Sequence, residues 1–274
     1  MTMMETNKEF IFENLAYSCA FQQHRGLEEF IPEHILGFQK SGETHIIEAD
    51  RRTVIEENTI VLVKKNQLMR TMKYPSSLGK YEFVSIILGR KELRQYAFEN
   101  KFILENQHKV KNMLFLKEND FLNSYFLSLT PYINKSKEAT PKLATLKINE
   151  AIEILLHVDP DLKYFLFDFS KPYKIDLEKF MNKNYMFNVP ISTFAIMTGR
   201  STSSFKRDFV TIFNTTPKRW LLEKRLEEAS YLIKYKNEKA VDIYLDLGFE
   251  NLSHFYTAFK NKYGITTSEI LSKK

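Results

Sequence analysis

Two short sets of polar side chains recur along the last third of this 274-residue chain. The first is Ser203 and Arg207, with Lys206 on their flank; the second is Ser253, Thr257 and Lys260. Hydroxyl, ammonium and guanidinium groups gathered on one helix face can reach base edges and phosphates in the major groove of a duplex. The same residue types also make an ordinary solvated helix surface. The framework that carries them separates the two readings.

That framework is a repeat with a 50-residue period. Phe205, Phe209 and Phe213 correspond to Phe255, Phe259 and Tyr263; Asn214 corresponds to Gly264 and Thr216 to Thr266. Upstream, Thr198-Gly199-Arg200 corresponds to Leu247-Gly248-Phe249, with one residue inserted after the second glycine. Each copy predicts a short helix, a glycine turn, a longer helix and a stop at Asn or Gly, which enter the left-handed region readily. A helix, a glycine turn and a second helix form a helix-turn-helix unit. At about 100° per residue, the aromatic positions make a buried stripe in each copy, with the polar sets opposite. Val210 shares the outer face of the first copy and Tyr256 flanks the second. Ser201 and Asn251 are expected helix N-caps.

Between the copies the chain runs PKRWLLEKRLEEASYLIKY, with its proline at the first helical position. Leu222, Leu226, Ala229 and Ile233 form an apolar stripe, and Trp220 is expected in the core beside it. Lys218, Arg219, Lys224 and Arg225 read equally as phosphate contacts or as helix surface. Roughly 19 residues at about 1.5 Å each give a helix of about 28 Å, close to one turn of B-DNA at about 34 Å. Charge follows the same division. Residues 171–274 hold 18 Lys+Arg against 11 Asp+Glu, while the first 170 hold 22 against 23. The positive field, which attracts polyanions, sits on the repeat.

The first 170 residues read differently. Ile35–Gln39, His45–Ala49, Thr53–Glu56, Thr59–Val63, Leu68–Lys73 and Phe83–Leu88 are β-rich runs set between turn signals such as Ser41-Gly42 and Glu57-Asn58. They predict an antiparallel barrel or jelly roll. From Lys91 to about His157 the period is helical, with one run at Phe121–Leu129 and a second from Thr140-Pro141 through Leu143–Leu156. The second is either internal core or a seam between two copies. Asp159-Pro160 and Lys171-Pro172 mark a boundary region.

Other chemistry finds little support. His34, His45, Glu33, Glu43 and Glu48 are candidate metal ligands, yet no HxH or HExxH pattern occurs. GxGxxG, P-loop, GxSxG and EF-hand patterns are missing too. The single cysteine, Cys19, excludes a disulfide framework and reads as a small buried hydrophobe. No apolar run approaches the ~18 residues of a membrane helix, and MTMMETNKEF has no signal-peptide pattern. The expected class is a soluble cytoplasmic protein.

The segments FAIMTGRSTSSFKRDF, TTPKRWLLEKRLEEA and IYLDLGFENLSHFYTAFKNKYG, within residues 176–272, resemble the arabinose-operon-regulator (AraC/XylS) type of bacterial transcription factors. That resemblance implies two helix-turn-helix subdomains joined by a linker helix, with base contacts at Ser203, Lys206, Arg207, Ser253 and Thr257. It departs at Tyr244, where a small Ala is usual, at Thr267, where Pro is usual, and at Leu271, where Arg is frequent. Residues from about Glu28 to Leu88 are similar to the cupin-like sensor of that family.

The expectation is an α+β chain: residues 1–170 a cupin-like regulatory domain with helices, also suited to pairing two copies through Leu143–Leu156; residues 171–274 an all-α domain binding double-stranded DNA. The function expected is sequence-specific transcription regulation, with a small-molecule or protein effector and RNA polymerase as partners. No membrane, metal, cofactor or catalytic residue is expected. The alternatives are a metal-dependent cupin enzyme fused to a DNA-binding module, and a regulator whose first domain binds a protein.

Overall fold

The computed structural model describes residues 7–12, 14–26, 29–102, 111–134, 140–169 and 174–272, so the Lys171-Pro172 boundary signal lies outside the described residues. The chain divides into two compact units, Met1–Ser170 and Lys171–Lys274.

The first unit begins with β1 (Asn7–Phe12), β2 (Leu15–Ala20), β3 (His24–Arg25) and β4 (Phe30–Ile31). β5 (His34–Ser41), β6 (Glu43–Ile47), β7 (Arg52–Ile55) and β8 (Thr59–Val63) follow, then β9 (Gln67–Leu68), β10 (Arg70–Tyr74) and β11 (Tyr81–Leu88). Gly42 at φ +75° turns β5 into β6, and Asn58 at φ +61° turns β7 into β8. Next come α1 (Arg90–Glu99), β12 (Met113–Leu116), α2 (Asp120–Ser128), α3 (Thr130–Asn134), α4 (Pro141–Val158) and α5 (Lys163–Leu166).

All strand pairings among the described residues are antiparallel. A six-stranded sheet runs β1-β2-β11-β5-β8-β12 and a four-stranded sheet runs β3-β10-β6-β7, with β4-β9 as a small pair. β8 shows how the layers arise. Its sequence TIVLV is apolar on both faces, as a strand covered on both sides requires. Ile60 and Leu62 join Leu36, Val84 and Ile86 against α1, α2 and α4. Val61 and Val63 turn the other way, onto Ile46, Ile55 and Met69 of the second sheet region. Helices, large sheet and small sheet are thus three layers. Burying each Leu or Ile between them contributes about 1.5–3 kcal/mol.

The α+β class and antiparallel pairing follow the expectation, with three corrections of detail. β1, β2, β3 and β12 lie outside the span expected to hold strands, about Phe30 to Leu88. Met113–Leu116 is a four-residue apolar run whose period decides nothing, and pairing with Ile60–Val63 makes it a strand. The run Leu68–Lys73 breaks at Met69, whose amide donates to the Glu29 carbonyl. Cys19 is half-buried rather than buried. In α4, Ile148, Ala151, Ile152 and Leu155 are core, while Leu143 and Leu146 stay 38% and 55% exposed.

The second unit is helical: α6 (Leu177–Asn184), α7 (Ile191–Met197), α8 (Thr202–Phe213), α9 (Pro217–Lys236), α10 (Ala240–Ile243), α11 (Leu252–Tyr263) and α12 (Thr267–Ser272). α9 is the axis. Trp220 packs on Phe209 and Phe213 at centroid distances of 5.6 and 4.8 Å. Further along, Leu226, Ala229 and Ile233 pack with Phe255 and Phe259. One helix therefore carries a core for each copy of the repeat.

Candidate nucleic-acid interface

In the first copy α7 ends at Thr198, whose buried hydroxyl donates to the Phe194 carbonyl at 2.8 Å. Gly199 turns at φ +67°, and Ser201 then caps α8 by accepting from the Ser204 amide at 3.2 Å. Arg200 locks the turn to the helix it precedes, donating Nε to Asp208 at 2.9 Å and Nη1 to the Thr198 carbonyl at 2.7 Å. That hydrogen bond, with the charge of Lys174 behind it, holds the Asp208 carboxyl below its ordinary value. Asn214 ends α8 in the left-handed region at φ +52°.

The second copy repeats the device with other groups. Gly248 turns at φ +82°, Asn251 caps α11 by accepting from the His254 amide at 2.8 Å, and Gly264 ends it at φ +70°. Phe249 stands edge-on to Phe255 at 4.9 Å and supplies the packing that Arg200 and Asp208 supply by charge.

Phe205, Phe209, Phe255 and Phe259 are fully buried, while Phe213 and Tyr263 are half-buried. Burial of that stripe turns the opposite face outward. Ser203, Lys206, Arg207, Ser253, Thr257 and Lys260 are all exposed. Among the described residues Lys206, Arg207 and Lys260 are in no ion pair, whereas Arg219 donates to Glu223 at 2.8 Å and Lys262 pairs with Glu227 at 3.2 Å. The cations on the two outer faces are therefore available to an anionic partner.

Arg225 departs from both readings of it, surface and phosphate contact. Its guanidinium donates to the carbonyls of Tyr185, Phe187 and Gly248 at 2.8–2.9 Å. The signal was present: Arg225 lies three residues after Leu222 and four before Ala229, within the apolar stripe of α9.

The candidate metal residues of the first unit do not converge. His45 bonds Glu43 at 2.6 Å and Arg52 through its other ring nitrogen. His34 is fully buried against Phe165, and its Nδ1 accepts from the Lys65 amide at 3.2 Å. Burial, with the charges of Lys65 and Lys64 added, pushes its imidazole down to about 3, so it is neutral near pH 7. Among the described residues no three of His, Cys, Asp and Glu gather. No described helix is long and apolar enough to cross a membrane.

Comparison with known proteins matches both units. A helix-turn-helix domain model matches residues 194–273, and an ExsA N-terminal regulatory domain model matches residues 34–163. Both matches are to the arabinose-operon-regulator type. It is similar to the HTH-type transcriptional regulator ExsA of Pseudomonas aeruginosa, 29% identical over 133 residues and spanning 48% of each chain. It is similar also to the thermoregulatory protein LcrF of Yersinia pestis, 32% identical over 93 residues, 34% of each chain. The chain thus spans half or less of the length of these relatives. Among solved structures, ToxT from Vibrio cholerae is 17% identical, with 94% of this chain and 98% of that one covered at a TM-score of 0.43.

Two departures from the family pattern have structural counterparts here. Tyr244 is half-buried against the core of the second copy. Thr267 begins α12 where Pro217 begins α9, and Thr266 and Glu269 supply a capping box in place of the proline: the Thr266 amide donates to Glu269 at 2.6 Å and the Glu269 amide to Thr266 Oγ1 at 3.3 Å. The Leu271 side chain lies outside the described residues.

Proposed function

We propose that this chain is a sequence-specific DNA-binding transcription regulator of the cytoplasm, with RNA polymerase as its downstream partner. The observation that carries this is the pair of capped, glycine-turned helices α8 and α11. Each presents hydroxyls outward, α8 with the unpaired cations Lys206 and Arg207 and α11 with Lys260, and both are anchored on one 20-residue helix. In this reading Ser203, Lys206 and Arg207 enter one major groove and Ser253, Thr257 and Lys260 the next. Genome-wide mapping of bound sites, followed by titration of the strongest duplex at several salt concentrations, tests it. A common two-part motif and an affinity falling with salt support it; scattered occupancy with no motif refutes it.

Residues 1–170 are the signal-receiving part in the same proposal. A cavity of about 120 Å3 lies between the sheets, lined mainly by Ile35, Ile46, Ile55, Val63 and Phe83. Lys73 closes its polar side, donating to Ser18 at 2.7 Å near the Tyr81 ring. This favours a small molecule with an apolar body and an anionic end over a protein effector, and native mass spectrometry of the purified chain distinguishes the two. A second copy would pack on α4 at Leu143 and Leu146. Effector binding then acts by linkage, shifting the fraction competent for DNA.

A further inference from the structure

The two recognition helices hang on α9 through two apolar cores, so their mutual orientation depends on a constraint between those cores. It lies at one polar node. Arg225, halfway along α9, spends Nε on the Tyr185 carbonyl at 2.9 Å, Nη2 on the Phe187 carbonyl at 2.9 Å and Nη1 on the Gly248 carbonyl at 2.8 Å. The first two carbonyls belong to the connection between α6 and α7 of the first copy; the third belongs to the turn that sets α11 in the second. A planar, permanently charged fork fixes direction as well as distance. The segments meet closely enough that a Cβ on Gly248 would lie 2.6 Å from the Met186 carbonyl oxygen and 2.8 Å from the Arg225 guanidinium carbon. Met186, from the first copy, packs against the core of the second. Asn188 adds a bond across the same seam, to Glu250 at 3.4 Å. A groove of about 740 Å3 opens beside the node.

We infer that Arg225 is a positioning residue that sets the angle between α8 and α11, and with it the spacing at which the two halves of a DNA site are read. The inference rests on the DNA-binding reading, though its geometric half is tested without DNA. The full chain is titrated with the strongest mapped duplex in three forms: native, and with one base pair inserted or removed between the half-sites. The wild type loses about tenfold or more on either change. Arg225→Lys, which keeps the charge and loses the fork, binds the native duplex more weakly and discriminates among the three by less than about threefold. In parallel, nitroxides on Thr211→Cys and Asn261→Cys, in a Cys19→Ser background, report the distance between the helices. The distribution is narrow while Arg225 is present and broad once Arg225→Lys removes the fork.

A folded Arg225→Lys that keeps the narrow distribution and the spacing penalty overturns the inference. So does an equal loss on all three duplexes with a narrow distribution, the behaviour of a plain phosphate contact. If Arg225→Lys does not fold, Arg225→Met retains the apolar stem and repeats both measurements. Failure of both to fold also overturns it, since the role assigned is orientation of folded units. A wild type that binds no duplex removes the DNA reading, while the nitroxide distances still decide the role of Arg225.

Discussion

Arg200 Nε lies 2.9 Å from Asp208 Oδ2, tying the first glycine turn to the second turn of its recognition helix. In the second copy the corresponding positions are Phe249 and Ala258, and an aromatic contact replaces the ion pair. The two copies therefore share a shape and differ in what holds it.

Acid should loosen the first copy before the second. The Asp208 carboxyl is held below its ordinary value, so its contribution is present above about pH 4 and is lost as pH falls through the lowered value. Because the pair is partly exposed, that contribution is at most about 1 kcal/mol. Asp208→Asn should lower the melting temperature of the chain slightly at pH 7, and the gap to wild type should narrow as pH falls below about 4. A gap that persists at low pH would show that the side chain acts through packing.

Base reading is testable at Arg207. Arg207→Ala should weaken binding to the preferred duplex by about 1–3 kcal/mol and relax preference at one base position. Titration against single-base variants measures this. An equal loss on every sequence would make Arg207 a phosphate contact.

Two glycines at positive φ should respond differently to alanine. Gly264, at φ +70°, meets no atom within 4 Å of an added Cβ, so Gly264→Ala costs only backbone strain, about 1 kcal/mol. Gly248 combines φ +82° with a Cβ 2.6 Å from the Met186 carbonyl oxygen, and Gly248→Ala should cost clearly more. Denaturant midpoints of the two variants give the comparison; equal midpoints would contradict it.

The exposed leucines of α4 define a candidate seam. Leu143 and Leu146 point away from the core formed by Ile148, Ile152 and Leu155. Leu143→Asp with Leu146→Asp should shift a dimer to monomer in light scattering while leaving the melting temperature within a few degrees. A mass unchanged by the pair of substitutions would place any self-association elsewhere.

Much of the second unit was legible in the chain. The spacing Phe205-Phe209-Phe213, repeated at Phe255-Phe259-Tyr263, predicts two buried stripes, and the structure buries them; the exposure of Ser203, Arg207, Ser253, Thr257 and Lys260 follows from the same arithmetic. Caps at Ser201 and Asn251 and stops at Asn214 and Gly264 were readable because capping is local, set by one side chain and two or three backbone groups. The first unit was less legible. Met113–Leu116 becomes a strand because β8 is beside it, and Leu15–Ala20 because β1 and β11 flank it.

The sequence by itself determined the repeat, the faces of its helices and the concentration of positive charge upon them, since helical period and capping act over a few residues. Only tertiary structure decided what Arg225 does. Its fork is satisfied by carbonyls 40, 38 and 23 positions away, and nothing in local spacing specifies which distant backbone groups a half-buried guanidinium will meet.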